Sequence, residues 1–474
     1  MNKAAATVAV ALCAAGTLHA TVANDAMTND PQVVMTSLSA RQRYPWNGKV
    51  DIDFSFTSAI PEAFAFVQFK ATYVNKAGET VNVPMKTFDQ VTLPWCTNAG
   101  AYRVTWDSTA DAPNLLVTNL QYTVTANMAK YMVVDLSKGT AATADDPYPI
   151  TYLEECPDPT RDDGGWTDEY RTTKMVFRLV QPGTYVKGWN NQFTSWHDAE
   201  KHNATITRPF YLAIFECTQG QAKSVMGTWF GTQALEFYNA DFRQRRPVAC
   251  ASYNAWRGKA SDGYCWPNHG SKVDPSSFIG QFRIKTGNDN GFDLPTDTEW
   301  EYAARAGATD AWGGDGLRNG QLSTSDSGPT GGATNSLLAT LGRYKYNGGH
   351  INNNGSYSAP AYTCTTNNGT AIVGSYKPNA WGFYDMLGNI CECTLDYKSG
   401  SMSNTATVDD VGTNVADPSS ADTINRVTRG GGYGSAAKWA SLVSRSSSVP
   451  AGYEINGCRI AWHFPFAGTQ PAAE

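Results

Sequence analysis

Cysteine is the residue type in this chain with the most to say about chemistry. Ten are present, two of them in the run Cys391-Glu392-Cys393 and another in Gly457-Cys458-Arg459. Residues two apart on a strand point to the same face, so Cys391 and Cys393 are placed to act together. For Cys391, Cys393 and Cys458 the reading favoured first is that one of them enters a disulfide. Burial as small hydrophobes comes next, and a metal or redox site last. Cys250 and Cys265 form another candidate bridge, subject to disulfide geometry. The six histidines, His19, His197, His202, His269, His350 and His463, show no metal-ligand spacing, which leaves a non-haem iron site little support. Glu299, Glu301, Arg305 and Arg429 carry groups that acid-base catalysis uses.

The compartment in which these cysteines work is set by the start of the chain. Met1-Asn2-Lys3 is a short basic region, and Ala4 to Leu18 is uncharged and too short to span a bilayer. This reads as a secretory leader covering residues 1–23, with cleavage after Ala20 or Ala23. Leu12 before Cys13 is a poor fit to a lipid-attachment signal, so Cys13 leaves with the leader and nine of the ten cysteines remain. An odd number leaves one thiol unpaired within the chain. No later stretch approaches the ~20 apolar residues of a membrane span. The expected location is secreted, periplasmic or on the cell surface.

Composition agrees with that setting and excludes some partners. Of 474 residues only 17% are charged, below the ~25% of ordinary soluble domains. Neutral Gly, Asn, Ser and Thr take their place. The net charge of −6 and isoelectric point near 5.6 provide no footprint for nucleic acid or an anionic membrane surface. The one basic cluster, Arg243-Gln244-Arg245-Arg246, reads as a solvated turn.

Two domains must hold these residues in place. From 30 to 137 the pattern has period two, as in Val50-Asp51-Ile52-Asp53-Phe54-Ser55-Phe56, with turn signals at Asn47-Gly48 and Lys76-Ala77-Gly78. That predicts an all-β sandwich, immunoglobulin-like by fold analogy. Residues 138–173, rich in Asp, Pro, Gly and Thr, read as a linker or lid. From 174 to 464 loops dominate and aromatics cluster. One helix is firm there: Thr296 to Glu299 is a capping box, the helix continues to Arg305, and Gly307 stops it. Gly313 to Thr370 reads as loop.

The second domain resembles the formylglycine-generating-enzyme, or sulfatase-modifying-factor, family. The blocks that carry the likeness are Met175 to Tyr185, Arg208-Pro209-Phe210-Tyr211 to Thr218, Pro247 to Tyr253, Leu294 to Arg305, Pro378 to Asn389, Arg426 to Gly431, and Gly457 with Arg459. They occur in family order and together are specific. The resemblance implies an α+β, C-type-lectin-like scaffold, here preceded by the β-sandwich. It also implies that Glu299, Glu301, Arg305 and Arg429 are scaffold positions, engaged in carboxylate–guanidinium pairing rather than catalysis. The sugar-binding tripeptides of C-type lectins are missing.

Family chemistry is the oxidation of a substrate cysteine to formylglycine by copper on two thiolates, soft ligands for copper(I). In the enzymes both thiolates follow the Arg-Gly-Gly-Ser motif. Here Gly432 replaces the serine, and no cysteine occurs from Thr394 to Gly457. No catalytic residue can therefore be named, copper is not expected, and oxidase activity is expected to be absent. The rescue to weigh against this is a set of relocated ligands among Cys391, Cys393 and Cys458.

A calcium site of the family runs along Tyr-Asp-Met-x-Gly-Asn-x-x-Glu, and its matches here are Asp385, Gly388, Ile390 and Glu392. A hard cation wants 6 to 8 oxygens, and Gly388 in a turn lets them converge. The competing reading has Asp385 and Glu392 cap the turn or pair with Arg429 or Arg459. A second family calcium site is doubtful at Thr365 and Asn367, with Asn347 a remnant. The expected function is a non-oxidase binding or structural surface module, its partner a protein or glycan at the extracytoplasmic face. A further reading makes Gly434 to Asn456 a variable recognition loop.

Overall fold

The structure is a computed structural model. It describes residues 6–9, 33–44, 47–58, 65–89, 96–97, 99–113, 115, 117, 120–127, 130–153, 155–188, 201–230, 243–264, 266, 272–309, 338–344, 347, 369–398, 405–409, 424–435, 437–451 and 456–463. Two compact units divide the chain, one holding residues 1–129 and 464–474, the other Lys130–His463.

The first unit is all-β. Its strands are β1 (Ala6–Ala9), β2 (Val33–Gln42), β3 (Lys49–Ser58), β4 (Ala65–Val74), β5 (Thr80–Val83), β6 (Cys96–Thr97), β7 (Gly100–Asp107) and β8 (Gln121–Asn127). One sheet runs β1-β8-β4-β5 with β6 beside β4; the other runs β2-β3-β7. The period-two pattern explains the pair. Ile52, Phe54 and Phe56 of β3 turn inward with Val104 and Trp106 of β7, and meet Val67, Ala71, Tyr122 and Val124 of the opposite sheet in one core. β1 lies within the expected leader and pairs antiparallel with β8.

The second unit begins earlier than its sequence pattern suggests. Strand β9 (Tyr131–Asp135) and strand β10 (Ile150–Leu153), assigned above to the end of the sandwich and to a linker, join its main sheet. They do so because β9 pairs with β11 (Lys174–Val180) along Lys174↔Asp135 to Arg178↔Tyr131, a run apolar enough to be buried on both strands. That sheet continues through β14 (Phe210–Ala213) and β21 (Ala461–His463) to β15 (Phe292–Asp293), in the order β10-β9-β11-β14-β21-β15. A smaller sheet pairs β12 (Gly183–Lys187), β13 (His202–Ile206) and β17 (Thr407–Val408). A third sheet of this unit orders β19 (Ser446–Ser448), β18 (Arg426–Arg429), β16 (Cys391–Tyr397) and β20 (Asn456–Cys458), with β16 and β20 parallel.

The firm helix is present as Asp297–Arg305, and both arms of its capping box form: the Glu299 amide donates to Thr296 Oγ1 at 3.1 Å and the Thr296 amide to Glu299 Oε2 at 2.8 Å. Its stop uses two left-handed residues, Ala306 (φ 47°) and Gly307 (φ 86°), of which only the glycine was legible. Three short helices, Gln219–Met226, Tyr253–Arg257 and Phe278–Lys285, pack around the sheets, each with a Ser or Thr cap. Most of Gly313 to Thr370, with Cys265, Thr365 and Asn367, lies outside the described residues. The basic cluster is less solvated than expected, because Arg246 is buried and Arg243 stacks 3.7 Å over Trp229.

Candidate functional site

Three segments from distant parts of the second unit meet at its centre: Glu216-Cys217-Thr218 after β14, Glu392-Cys393-Thr394 in β16, and Cys458-Arg459 at the end of β20. Parallel register puts Cys393 opposite Cys458 and Glu392 opposite Gly457. The alternation of side chains along a strand then sorts thiols to one face and charged groups to the other.

On the charged face Arg459 is buried and hydrogen-bonds to buried partners. It grips Glu392 through Nη2 to Oε1 at 2.8 Å and Nε to Oε2 at 3.1 Å, and donates to the carbonyls of Ala213 and Tyr384. Glu392 Oε2 also accepts from Trp300 Nε1 at 2.7 Å. Glu216 accepts from the Asn389 side chain at 2.6 Å and the Ile390 amide at 3.0 Å. Burial, followed by the charges of Asp385 and Glu392, pushes the Glu216 carboxyl well above its ordinary value. Asp385 sits at a left-handed φ of 56° and is also buried. One of its oxygens, Oδ2, accepts from the Gly374 amide at 2.7 Å, while Oδ1 is buried without a partner. Burial lifts Asp385 to about 6.

This geometry bears on the four residues expected to hold calcium. Asp385, Gly388, Ile390 and Glu392 do share one turn and the strand that follows it. At the Asp385 end the unpartnered Oδ1 suits a cation. At the Glu392 end Oε1 accepts from Arg459 and Oε2 from Arg459 and Trp300, so a cation there would share this carboxylate with a guanidinium. Glu392 takes the expected alternative of pairing with Arg459. Gly388 has a tighter reason to be glycine than converging carbonyls: its φ is 85°, and a Cβ there would lie 2.0 Å from the Arg343 carbonyl oxygen. Asn347, the remnant of the doubtful second site, is engaged locally, accepting from the Tyr344 amide and donating to the Gly342 carbonyl.

A second buried cluster surrounds the first turn of the firm helix. Arg429 donates to Asp297 and, at 2.8 Å, to Glu301 Oε2; Arg305 reaches Glu301 Oε1 at 2.7 Å. Lys187 and Arg445 approach Asp297 Oδ2 at 3.1 and 3.0 Å. Burial raises the cost of the Asp297 charge, yet the cations Arg429, Lys187 and Arg445 hold its carboxyl well below the usual range. Pairing of Glu301, Arg305 and Arg429 is thus as expected. Glu299 differs, meeting His463 Nε2 at 3.0 Å. Asp297, Lys187, Arg445 and Glu216 were missed by sequence reasoning. Asp297 alone left a signal, an acid in a helix first turn, which reads equally well as a capping preference.

The segment after the Gly430-Gly431 pair is where the enzymes resembled hold their thiolates. Here Ala440, Leu442 and Val443 enter the core beside Trp300 and Met386. Ser446 and Ala451 are exposed and Val449 is 43% exposed, so only part of the proposed recognition loop faces solvent. Gly432 has room for a side chain: a Cβ would make ordinary contacts at 3.5 Å and beyond, including Cys391 Sγ at 3.6 Å. Cys217, Cys393 and Cys458 are all at most 2% exposed. Among the described residues, no three His, Cys, Asp or Glu side chains are placed to share a metal, and no helix is long and apolar enough to cross a membrane.

Comparison with known proteins gives a family match. Residues 166–463 match the sulfatase-modifying factor enzyme 1-like domain. A chaperone protein LppX of Paenibacillus barcinonensis is 26% identical over 280 residues, 56% of this chain and 81% of that protein. Among solved structures, Treponema denticola variable protein 1 is 20% identical with a TM-score of 0.41, covering 62% of this chain and 96% of its own. PvdO from Pseudomonas aeruginosa is 17% identical with a TM-score of 0.37, covering 61% and 94%.

Proposed function

Since this chain belongs to the sulfatase-modifying factor enzyme 1-like domain family, we propose that it is an exported, non-oxidase member that uses the family scaffold as a binding module. The observation that carries the reading is the segment after Gly431. It holds no cysteine in sequence, and its middle, Ala440 to Arg445, is committed to the interior. Copper(I) needs soft donors, and that segment offers none.

Relocated ligands are a weaker alternative. Of Cys391, Cys393 and Cys458, the last two are buried inside the unit and Cys391 is partly exposed, so a substrate peptide meets one thiol of the three rather than a pair. Calcium plays no part in the reading, since Glu392 already has its cation in Arg459. The leader, with the neutral Gly, Asn, Ser and Thr loops, supports export. A protein or glycan at the extracytoplasmic face is the class of partner, and the exposed positions Ser446, Val449 and Ala451 are where contact is expected.

The test is direct. The purified chain is incubated with a Cys-x-Pro-x-Arg peptide, copper(I) and oxygen, and the peptide is weighed by mass spectrometry. No formylglycine is expected; its appearance overturns the reading.

A further inference from the structure

We propose that Cys217 and Cys458 are a disulfide-forming pair that ties the segment after β14 to the end of β20. The Cys217 amide donates to the Cys458 carbonyl at 2.9 Å, which puts the two residues on adjacent backbone segments. Neighbouring strands lie ~4.8 Å apart, within the Cα separation that a disulfide spans. Both residues are buried, at 2% and 0% exposure. Burial raises the Cys458 thiol well above its ordinary value, so the pair stays as thiols in the packed state unless it is oxidised as the chain folds.

Cys393 is the competing partner, since it faces Cys458 across the parallel ladder. We choose Cys217 because its amide bonds the Cys458 carbonyl directly, at 2.9 Å, and the mapping experiment separates the two pairings.

Chemically, two S–H bonds break and one S–S bond forms. Two electrons and two protons pass to a disulfide oxidant such as oxidised glutathione, which leaves as two thiols. Buried thiols react slowly once packed, so the bond forms during folding and is then sealed. The pairing rests on the export reading, because such bonds persist in oxidising compartments. A refolding experiment does not depend on export, so the two can fail separately.

The full chain is reduced, unfolded and refolded in a glutathione redox buffer, then unfolded again, alkylated, digested and mapped by mass spectrometry. A parallel sample is refolded in dithiothreitol. The expected result is a peptide cross-linked through Cys217 and Cys458, absent from the dithiothreitol sample and retained in Cys393→Ser. The oxidised sample should also unfold at higher urea concentration. Full alkylation of Cys217 and Cys458 in a redox-refolded sample with native circular dichroism overturns the proposal. So does a cross-link from either residue to Cys393.

Discussion

Arg459 closes on Glu392 with two hydrogen bonds, at 2.8 and 3.1 Å, in a place where neither side chain touches water. Breaking one side of such a pair strands the other charge. Arg459→Met keeps the bulk of the side chain and removes its charge, leaving Glu392 beside Glu216 and Asp385. A loss of about 3–5 kcal/mol is expected, read from the urea midpoint against wild type. An unchanged midpoint would show that the pair contributes nothing net.

Calcium is expected to have little effect, for the same reason. Because the guanidinium already fills Glu392, adding calcium in excess, or removing it with a chelator, should shift the thermal midpoint by less than about 1 °C. A rise of several degrees on adding calcium would put the ion in the turn after all, since a ligand that binds only the folded state stabilises it by mass action.

Gly388 should not tolerate a side chain. Ala at this position combines a left-handed φ with a Cβ driven onto the Arg343 backbone, so Gly388→Ala should cost on the order of 3 kcal/mol or more. By contrast, Gly432→Ser meets only ordinary contacts and should unfold within about 1 kcal/mol of wild type. Chemical denaturation of both variants checks the contrast.

Stability should depend on pH from two sides. Burial pushes the His463 imidazolium down, but Glu299 more than offsets it and leaves the pKa raised above 6.5. A raised pKa gives stability that is complete below the unfolded value of 6.5 and lost as pH rises through the folded value. The pair is partly exposed, so the effect should be about 1 kcal/mol or less. His463→Gln should therefore show a flatter stability curve than wild type above pH 6. Asp297 acts oppositely. Its depressed pKa contributes stability above 3.8 that disappears as pH falls through the folded value, and Asp297→Asn should remove that acid dependence.

The segment after Gly431 should divide into two kinds of position. Leu442→Ala deletes a core side chain and should cost about 2–5 kcal/mol. Ser446→Ala changes an exposed residue and should stay within about 0.5 kcal/mol. Unfolding midpoints for the two variants would refute the division if they matched.

Much of the architecture was legible because it is written in local patterns. Alternation along Val50 to Phe56 needs only neighbours to specify a two-faced strand, and Thr296 with Glu299 specifies a helix start within four residues. The missing cysteines between Thr394 and Gly457 are likewise a fact of sequence alone. Tertiary structure decided how charges are shared. Asp297 reads as a capping acid until Lys187, Arg429 and Arg445 arrive from other elements, and Glu216 reads as a strand residue until Asn389 and Ile390 close over it. Glu392 reads as one carboxylate in a strand until Arg459, 67 residues away, bonds both its oxygens. The physical reason is range. Propensity and capping act over a few residues, whereas burial of a charge must be answered by whichever partner the fold brings within about 3 Å, and sequence distance does not limit that choice.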